Sequence, residues 1–544
     1  MKQTFLLSVF LVSMYACSYG QKSSQPVQKS IQKVNLVMYA IENMYVDEVD
    51  NNKLAEDAIV GLLEKLDPHS TYSSAEEVND LKEPLQGNFE GIGVQFNMMT
   101  DTLYIVQVIP GGPSEKVGVM PGDRIIYVGD SLIAGVKIKT SDVMKMLRGS
   151  KGTVVNIKIM RKRNPELLNF RIVRDVIPIY SLDASYMLDK KTGYIKLNRF
   201  GATTHEEYSE ALKKLKAQGM ENLILDLQGN GGGYLGAAIN IANDFLKQGS
   251  LIVYTEGAHQ RRDDARASYS GSMGKGRLAV LVDESSASAS EIVAGAIQDW
   301  DRGVIIGRRT FGKGLVQAPI DLPDGSMIRL TTSRYYTPSG RSIQKPYESG
   351  NLESYNKDLI ERYNHGEMVS ADSIHFPDSL KTKTLVTGRT VYGGGGIMPD
   401  YFIPLDTTRV TDLYRSMTGA SVIYRYILNL VDENRNQYLA KYNSFDAFKK
   451  NFTMTDSMLE ELLDMYCKDV DEGESPRELT EKDREDWEKS KPLIRVIIKS
   501  RIASDIYDNS KFFEIINETY NDPLKKALEI INNPKEYDKL LGKD

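Results

Sequence analysis

The stretch LAVLVDESSASASE, residues 278–291, joins an apolar run to a helix and indicates the fold class of the central part of this chain. Five consecutive apolar residues predict a strand that is buried on both faces. Apolar residues then recur at helical spacing, at Ile292, Val293, Ala296, Ile297 and Trp300. A buried strand that leads directly into an amphipathic helix is typical of a layered α/β domain.

The same alternation of strands and helices extends on both sides of this stretch, from Gly193 to about residue 340. The apolar patterns predict strands at 194–197, 223–227, 251–254, 278–282 and 304–306, and helices at 205–218, 234–246 and 289–300. We therefore expect an α/β core with a largely parallel sheet.

The chain of 544 residues is too long for one core, because single cores stop growing at roughly 250 to 300 residues. Apolar spacing is helical before residue 86, changes to short alternating strands with Gly and Pro turns, and is helical again after 406. We predict a multidomain α/β protein. Its parts are a signal peptide (1–20), an N-terminal helical region (21–86), a small β-rich domain (87–172), the core (173–405, with a polar insertion at 346–384) and a C-terminal helical extension (406–544).

The first twenty residues have the charged start, apolar run and small residues of an export signal, so we expect a protein of the periplasm or cell envelope. Cys17 lies at the end of this signal, where a lipid anchor would be attached, although the preceding Ser13 to Ala16 match such a site poorly. Removal of Cys17 with the signal is the alternative. In either case Cys467 has no disulfide partner in the chain.

Ser288 is a candidate nucleophile because it stands at the start of the predicted helix, where free N–H groups favour developing negative charge. A helix-capping serine is the alternative interpretation. The five histidines form no recognisable triad motif, and His69, beside Pro68, is interpreted as structural.

Lys313 could replace histidine as the base if burial made it neutral, which means lowering its pKa from about 10.4 at a cost of roughly 3 to 5 kcal/mol. It lies between two glycines in Thr-Phe-Gly-Lys-Gly, where the backbone can approach another element closely. A solvated lysine in a glycine turn is the alternative.

The β-rich part resembles a PDZ domain in residues 110–119 (PGGPSEKVGV) and 121–125 (PGDRI). The resemblance implies that the loop of Gly91, Ile92, Gly93 and Val94 binds the terminal carboxylate of a peptide. A loop with successive backbone N–H groups is suited to that task. Its Ile-Gly-Val differs from the commoner Leu-Gly-Phe.

The sequence of Ser-Ala-Ser-Ala-Ser-Glu, Thr-Phe-Gly-Lys-Gly and the glutamine four residues later resembles the C-terminal processing peptidases, and the resemblance spans about residues 30–405. It implies a ClpP- or crotonase-like layered sheet and a serine endopeptidase that cleaves unstructured protein tails without a cofactor. Ser288 and Lys313 would be its dyad, oriented by Gln317.

The resemblance also implies an oxyanion hole formed by the loop at residues 226–233 and the N–H of Ala289, with Gly232 and Gly233 as the candidate donors. Ser286 and Ser290 are interpreted as structural. Glu291 is interpreted as a partner of the helix dipole, with a catalytic role as the alternative.

Two other classes of protein compete with this hypothesis. Gly231, Gly233 and Gly236 open a helix after a strand, and Glu256 follows twenty residues after Gly236, which satisfies a dinucleotide-binding pattern weakly. A peptide-binding scaffold without catalysis is the second rival.

The formal net charge of −6 disfavours a nucleic-acid partner. No His-Glu-x-x-His or Cys-x-x-Cys motif indicates a metal. Besides the protein substrates, a homo-oligomer or an activator protein stays open as a partner.

Overall fold

The structure, a computed structural model, describes residues 25–99, 101–162, 164–470 and 475–543. The predicted signal peptide and Cys17 lie outside these residues. The chain begins with α1 (Gln25–Met44), α2 (Asn51–Glu64), β1 (Thr71–Ser73) and α3 (Ala75–Gln86). Asp50 caps α2, because its side chain accepts hydrogen bonds from the N–H groups of Asn52 and Lys53. α3 ends at Gly87, whose φ of 80° suits glycine.

A small β-rich module follows and explains the strand periodicity of this region. It contains β2 (Asn88–Gly91), β3 (Val94–Met99), β4 (Thr102–Val108), α4 (Pro113–Lys116), β5 (Arg124–Val128), β6 (Ser131–Leu132), α5 (Thr140–Leu147), β7 (Val154–Met160), β8 (Leu168–Val173) and β9 (Asp175–Pro178). The main sheet has the order β3-β4-β5-β7-β8, with β6 beside β5, so β3 is an edge strand. Side chains of β7 alternate between buried and exposed, and its buried residues line the core of the module.

The α/β core has two sheets. Its elements are β10 (Leu182–Met187), β11 (Thr192–Leu197), α6 (Thr204–Ala217), β12 (Asn222–Asp226), α7 (Leu235–Asn243), β13 (Leu251–Gly257), β14 (Gln260–Arg266), β15 (Leu278–Val282), α8 (Ala289–Asp299), β16 (Val304–Gly307), β17 (Leu315–Asp321), β18 (Met327–Tyr336), α9 (Leu352–Asn364), β19 (Lys381–Lys383), β20 (Thr390–Tyr392) and β21 (Tyr401–Phe402). The six-stranded sheet has the order β10-β11-β12-β15-β16-β21, and all its pairs except β10 with β11 are parallel. The predicted largely parallel sheet is confirmed.

The second sheet was not predicted. β18 pairs with β17, with β13 and with the short β1 from the N-terminal region. The register places Thr71 opposite Arg329, so the segment just before β1 is brought to the core. Glu256, the acidic residue of the dinucleotide pattern, lies on β13 in this second sheet rather than beside β12.

The C-terminal residues are helical, as predicted: α10 (Asp412–Gly419), α11 (Val422–Lys441), α12 (Phe445–Asn451), α13 (Asp456–Lys468), α14 (Glu481–Ile506), α15 (Ser510–Tyr520), α16 (Asp522–Asn532) and α17 (Pro534–Leu540). α10 to α15 share a buried core of their own, which includes Phe448, Ile494 and Ile498. α16 and α17 instead cover one face of the six-stranded sheet.

Candidate active site

Ser288 lies between β15 and α8 in a backbone conformation that is rare for a residue with a side chain. Its φ is 55° and its ψ is −112°, outside the ordinary regions for L-residues. Such a conformation persists only where the surroundings hold it. Here the carbonyl oxygen of Ser288 accepts from the N–H groups of Glu291 (2.9 Å) and Ile292 (3.0 Å), while its side chain stays partly exposed.

Lys313 is positioned by the glycines on either side of it. Gly312 has a φ of 89°, and a Cβ there would lie 3.1 Å from the backbone nitrogen of Gly396. Burial, and secondly the positive charge of Arg329, lower the pKa of the Lys313 ammonium group. Among the described residues, no carboxylate lies within ion-pair distance of its Nζ. The side chain is therefore suited to lose its proton.

Glu291 joins the backbones of the serine and the lysine. Its side chain is fully buried, and one carboxylate oxygen accepts from the N–H groups of Ser288 (2.8 Å) and Lys313 (2.9 Å). The other oxygen accepts from the Thr310 hydroxyl (2.5 Å) and the Gly312 N–H (2.8 Å). Burial raises the pKa of Glu291 to about 7 in spite of these bonds. The interpretation as a dipole partner is therefore too narrow, because this carboxyl group positions two loops.

The backbone N–H groups of Ser288 and Lys313 meet at one oxygen of Glu291, but no hydrogen bond joins the two side chains in the described structure. Tyr335, which is buried, links their loops on the other side, since its hydroxyl contacts the carbonyl oxygens of both residues. Hydrogen bonds of catalytic groups are often long in the absence of substrate.

Gln317 lies on β17 and faces Thr331 on β18. Its amide donates to the Thr331 hydroxyl (3.1 Å), which in turn donates to the Asp67 carboxylate (2.9 Å). The same carboxylate accepts from the N–H groups of His69 (2.8 Å) and Ser70 (3.0 Å). The structure thus connects Gln317 to the loop before β1, and it shows no hydrogen bond from its side chain to Lys313.

His69 is brought to the vicinity of Lys313. Its Nε2 lies 2.8 Å from the Tyr355 hydroxyl on α9, in the insertion. Burial, and secondly the charge of Lys313, lower the pKa of His69 to about 4. The imidazole is therefore neutral near pH 7, and its hydrogen bond with Tyr355 fits the structural interpretation.

The glycine loop after β12 lies against Ser288. A Cβ on Gly232 would come within 2.8 Å of the Ser288 Cβ and 3.0 Å of the Ala289 nitrogen, so only glycine permits this approach. The Gly232 N–H donates to the Asn230 side chain (2.9 Å). The N–H groups of Gly233 and Ala289 are thus unoccupied in the described structure, whereas that of Gly232 is occupied and Gly232 supplies the close approach.

Ser286 and Ser290 have structural roles. The Ser286 hydroxyl donates to the Leu227 carbonyl (2.8 Å), and the Ser290 hydroxyl donates to the Asn230 carbonyl (2.8 Å). Both serines are fully buried. They attach the glycine loop to the start of α8.

A groove runs along the edge strand β3 of the β-rich module. It has a volume of about 310 Å³ and is bounded by residues 91–96, by Met144 and Leu147 of α5, and by Arg148. Gly93 has a φ of 75°, which glycine adopts readily. The side chain of Ile92 is buried, so this residue can offer only its backbone to a ligand. An exposed strand edge beside an apolar pocket can pair with an extended peptide.

Sequence reasoning missed several residues that surround the site: Asp67, Asn230, Arg329, Thr331 and Tyr335. The resemblance to the C-terminal processing peptidases also includes residues 66–70 (Leu-Asp-Pro-His-Ser) and 330–343, which was a signal for Asp67, Thr331 and Tyr335. Asn230 lies in the loop at residues 226–233 that the same resemblance assigns to the oxyanion hole, and Arg329 lies just outside these segments. In the part of the chain that the structure describes, no helix is long and apolar enough to cross a membrane, and no cluster of potential metal ligands occurs.

Comparison with known proteins shows which families this chain matches. Residues 191–350 match peptidase family S41, residues 91–172 match a PDZ domain and residues 12–77 match the N-terminal domain of the activating protease CtpB. Residues 413–508 match a family of unknown function.

Individual relatives agree with these matches. The carboxy-terminal-processing protease of Bartonella bacilliformis is 36% identical over 351 residues, covering 62% of this chain and 79% of the relative. The carboxy-terminal processing protease CtpA of Bacillus subtilis is 34% identical, covering 60% of this chain and 69% of the relative. Among solved structures, the photosystem II D1 C-terminal processing protease is 28% identical over 57% of this chain and 83% of that chain, with a TM-score of 0.34. The chain belongs to the carboxy-terminal-processing proteases of peptidase family S41, and it is a serine-type endopeptidase with a PDZ domain.

Proposed function

We propose that this protease cleaves protein tails with a dyad of Ser288 and Lys313. The observation that carries the proposal is the shared carboxylate of Glu291, which fixes the backbones of both residues. The Lys313 amine has a lowered pKa and no ion-pair partner in the described structure, and both features favour the neutral form that a general base needs. Gln317 would orient this amine once its hydrogen bond with Thr331 is exchanged.

In the proposed reaction, the Lys313 amine takes the hydroxyl proton of Ser288 as Oγ attacks the scissile carbonyl carbon. The N–H groups of Gly233 and Ala289 hold the resulting oxyanion. The Lys313 ammonium then gives its proton to the leaving amine as the C–N bond breaks. Lys313 next takes a proton from water as the water oxygen attacks the acyl carbon, and it returns that proton to Ser288 Oγ as the ester bond breaks. The helix start at α8 stabilises the negative charge.

We propose that the PDZ domain selects the substrate by its C-terminus. The terminal carboxylate would bind the backbone N–H groups of residues 91–94, and the upstream residues would extend β3 as an added strand. The apolar floor at Met144 and Leu147 favours an apolar last residue.

The test is cleavage of an unfolded reporter with a free apolar C-terminus. Ser288→Ala and Lys313→Ala should each lower the rate by about 1,000-fold or more. Ser285→Ala and Lys275→Ala, which change exposed residues of the same types, should leave it unchanged. Activity that survives in folded Ser288→Ala would refute the dyad. Binding of the tail without cleavage, in the wild type as well as in the variants, would favour a peptide-binding scaffold without catalysis.

We propose an exported protein that acts in the periplasm or cell envelope, with Cys17 as the site of lipid attachment. Growth with a labelled fatty acid should mark the wild-type chain but not Cys17→Ser. A mature protein that begins after residue 17 and carries no label would refute the anchor and keep the export.

A further proposal concerns the molecule that binds the N-terminal helix α1. Val27, Ile31, Val34 and Val37 lie on one face of α1, and each is about half exposed or more. We propose that a second copy covers this uncharged face. Light scattering should then show a dimer that becomes a monomer in Ile31→Glu; a monomeric wild type would instead favour an activator protein.

A further inference from the structure

The helical extension, residues 406–544, is attached to the catalytic core through its last three helices. Asn517 of α15 donates to the Tyr186 hydroxyl of β10 (2.9 Å), and α16 and α17 pack on the sheet. Leu524, Ala527 and Ile530 of α16 are buried in one cluster with Ile224 and Leu281 of the six-stranded sheet. This contact is apolar and lies in the interior, so it contributes strongly to the attachment.

Tyr537 on α17 adds a polar contact at the same place. Its hydroxyl accepts from the Leu278 N–H (2.9 Å) and donates to the Leu278 carbonyl (3.0 Å). One side chain therefore satisfies both backbone groups at the start of β15. The C-terminal end of the extension is fixed to the strand that precedes Ser288.

The first half of the extension contacts the PDZ domain instead. Asp432 of α11 lies against the turn between α4 and β5, where a Cβ on Gly122 would meet the Asp432 Oδ1 at 2.0 Å. The turn has a φ of 91° at this glycine. Only glycine leaves room for the carboxylate, which shows how closely the two domains approach.

An ion pair lies in this contact. The Arg124 Nη2 and the Asp432 Oδ2 are 3.5 Å apart, and the side chains are only 11% and 10% exposed. Arg124 also lies over the ring of Tyr104, which fixes the direction of its guanidinium group. At the rim, Lys162 pairs with Glu433 at 2.7 Å. Removing one partner of a buried pair leaves an uncompensated charge and is costly.

The opposite side of the PDZ domain is also held. Arg148, at the end of α5, pairs with Asp80 (2.7 Å) and Glu83 (2.9 Å) of α3. These groups are more exposed than the pair on α11, so they contribute less. Among the described residues, the least exposed ion pair between the PDZ domain and its surroundings therefore comes from the helical extension.

We propose that the helical extension is a brace that holds the PDZ domain in one position relative to the catalytic core. Its α16 and α17 attach to the sheet, and its α11 holds the turn at Gly122 and Arg124. The PDZ groove thereby keeps a constant distance from Ser288. This role is independent of the proposed catalytic dyad.

The test measures, in the full chain, the distribution of distances between a site on the PDZ domain and a site on the catalytic core. Spin labels are placed at Asp130→Cys on the PDZ domain and Lys213→Cys on α6, both exposed positions, in a background of Cys17→Ser and Cys467→Ser. The distribution should be narrow with Asp432 present. It should broaden about twofold or more in Asp432→Ala, because the remaining ion pairs of the PDZ domain are more exposed to solvent.

Arg171→Ala, which removes an exposed arginine of the same domain away from α11, is the matched control and should keep the narrow distribution. Arg124→Gln provides a second variant from the PDZ side and should broaden it as Asp432→Ala does. Affinity for a tail peptide should stay within about twofold in every variant, because the groove is not altered. Distance distributions in Asp432→Ala and Arg124→Gln that are as narrow as in the protein with Asp432 and Arg124 would overturn the proposal that the extension is a brace.

Discussion

Replacing Glu291 by glutamine keeps the shape of the side chain but removes one of its two carboxylate oxygens. Four donors converge on this group in the structure: the N–H groups of Ser288, Gly312 and Lys313 and the hydroxyl of Thr310. One oxygen accepts from Ser288 and Lys313, and the other accepts from Thr310 and Gly312. The single oxygen of glutamine can accept from only one of these pairs, so its NH₂ group must face the other pair. The less costly orientation turns the NH₂ toward Thr310, whose hydroxyl can rotate and accept, and leaves the Gly312 N–H unpaired.

An unpaired buried donor costs about 1–3 kcal/mol. We therefore expect Glu291→Gln to lower the free energy of unfolding by this amount, relative to a wild type in which Glu291 is neutral. The ionised carboxyl has a cost of its own. Burial raises its pKa to about 7 from 4.5, and at about 1.4 kcal/mol per unit the charged form is disfavoured by about 3 kcal/mol. By linkage, the folded state binds more protons than the unfolded state between these values. The wild type therefore loses stability as the pH rises from 4.5 through about 7, and Glu291→Gln lacks this loss.

The assay is urea unfolding between pH 5 and 8, followed by the fluorescence of Trp300 at the end of α8. Trp487→Phe removes the only other tryptophan, which lies in the extension. Glu291→Gln should be less stable than the wild type at pH 5 and should approach or exceed it at pH 8. Glu256→Gln, at an exposed site, is the control and should follow the wild type. Parallel pH curves for the wild type and Glu291→Gln would refute a buried carboxyl with a raised pKa.

Three further predictions concern the base, the fold and the groove. Arg329→Gln should raise the pKa of Lys313, because the arginine charge lowers it, and should move the acid limb of kcat/KM to higher pH. Asp67→Asn should have the opposite effect and move this limb to lower pH, because the Asp67 charge raises the pKa of Lys313. Unchanged limbs in a pH–rate profile would contradict Lys313 as the base. Tyr537→Phe should destabilise the core by about 1–3 kcal/mol in denaturant unfolding, because the Leu278 N–H loses its acceptor, and an unchanged midpoint would contradict the anchoring contact. Amidation of a tail peptide should weaken its binding about tenfold or more in a fluorescence titration, as expected where a carboxylate is bound by backbone N–H groups, and equal affinities would refute carboxylate recognition.

Much of the site follows from local sequence. The strand at 278–282, the helix from Ala289 and the glycines around Lys313 are each set by neighbours within a few residues, because periodicity and glycine conformation are local properties. The glycine loop could also be placed near the serine, since parallel strands bring their carboxyl ends to one edge of the sheet. The serine and lysine were assigned as a pair from motifs of this kind together with the family resemblance.

The environment of these residues depends on the tertiary structure. Asp67 meets Thr331 across 264 positions because β1, three residues long, pairs with β18, and a strand this short has no readable period. The Gly232 N–H is taken by Asn230, which no motif shows.

Sequence alone therefore determined the strands and helices next to the site and, through the family resemblance, the family and the candidate catalytic residues, because these depend on patterns that are local in the chain. The tertiary structure decided which donors remain free for an oxyanion and how charges act on Lys313. It also decided that the helical extension contacts both the sheet and the PDZ domain. These properties arise from contacts between distant segments, where burial and hydrogen-bond partners are set only after the chain has folded.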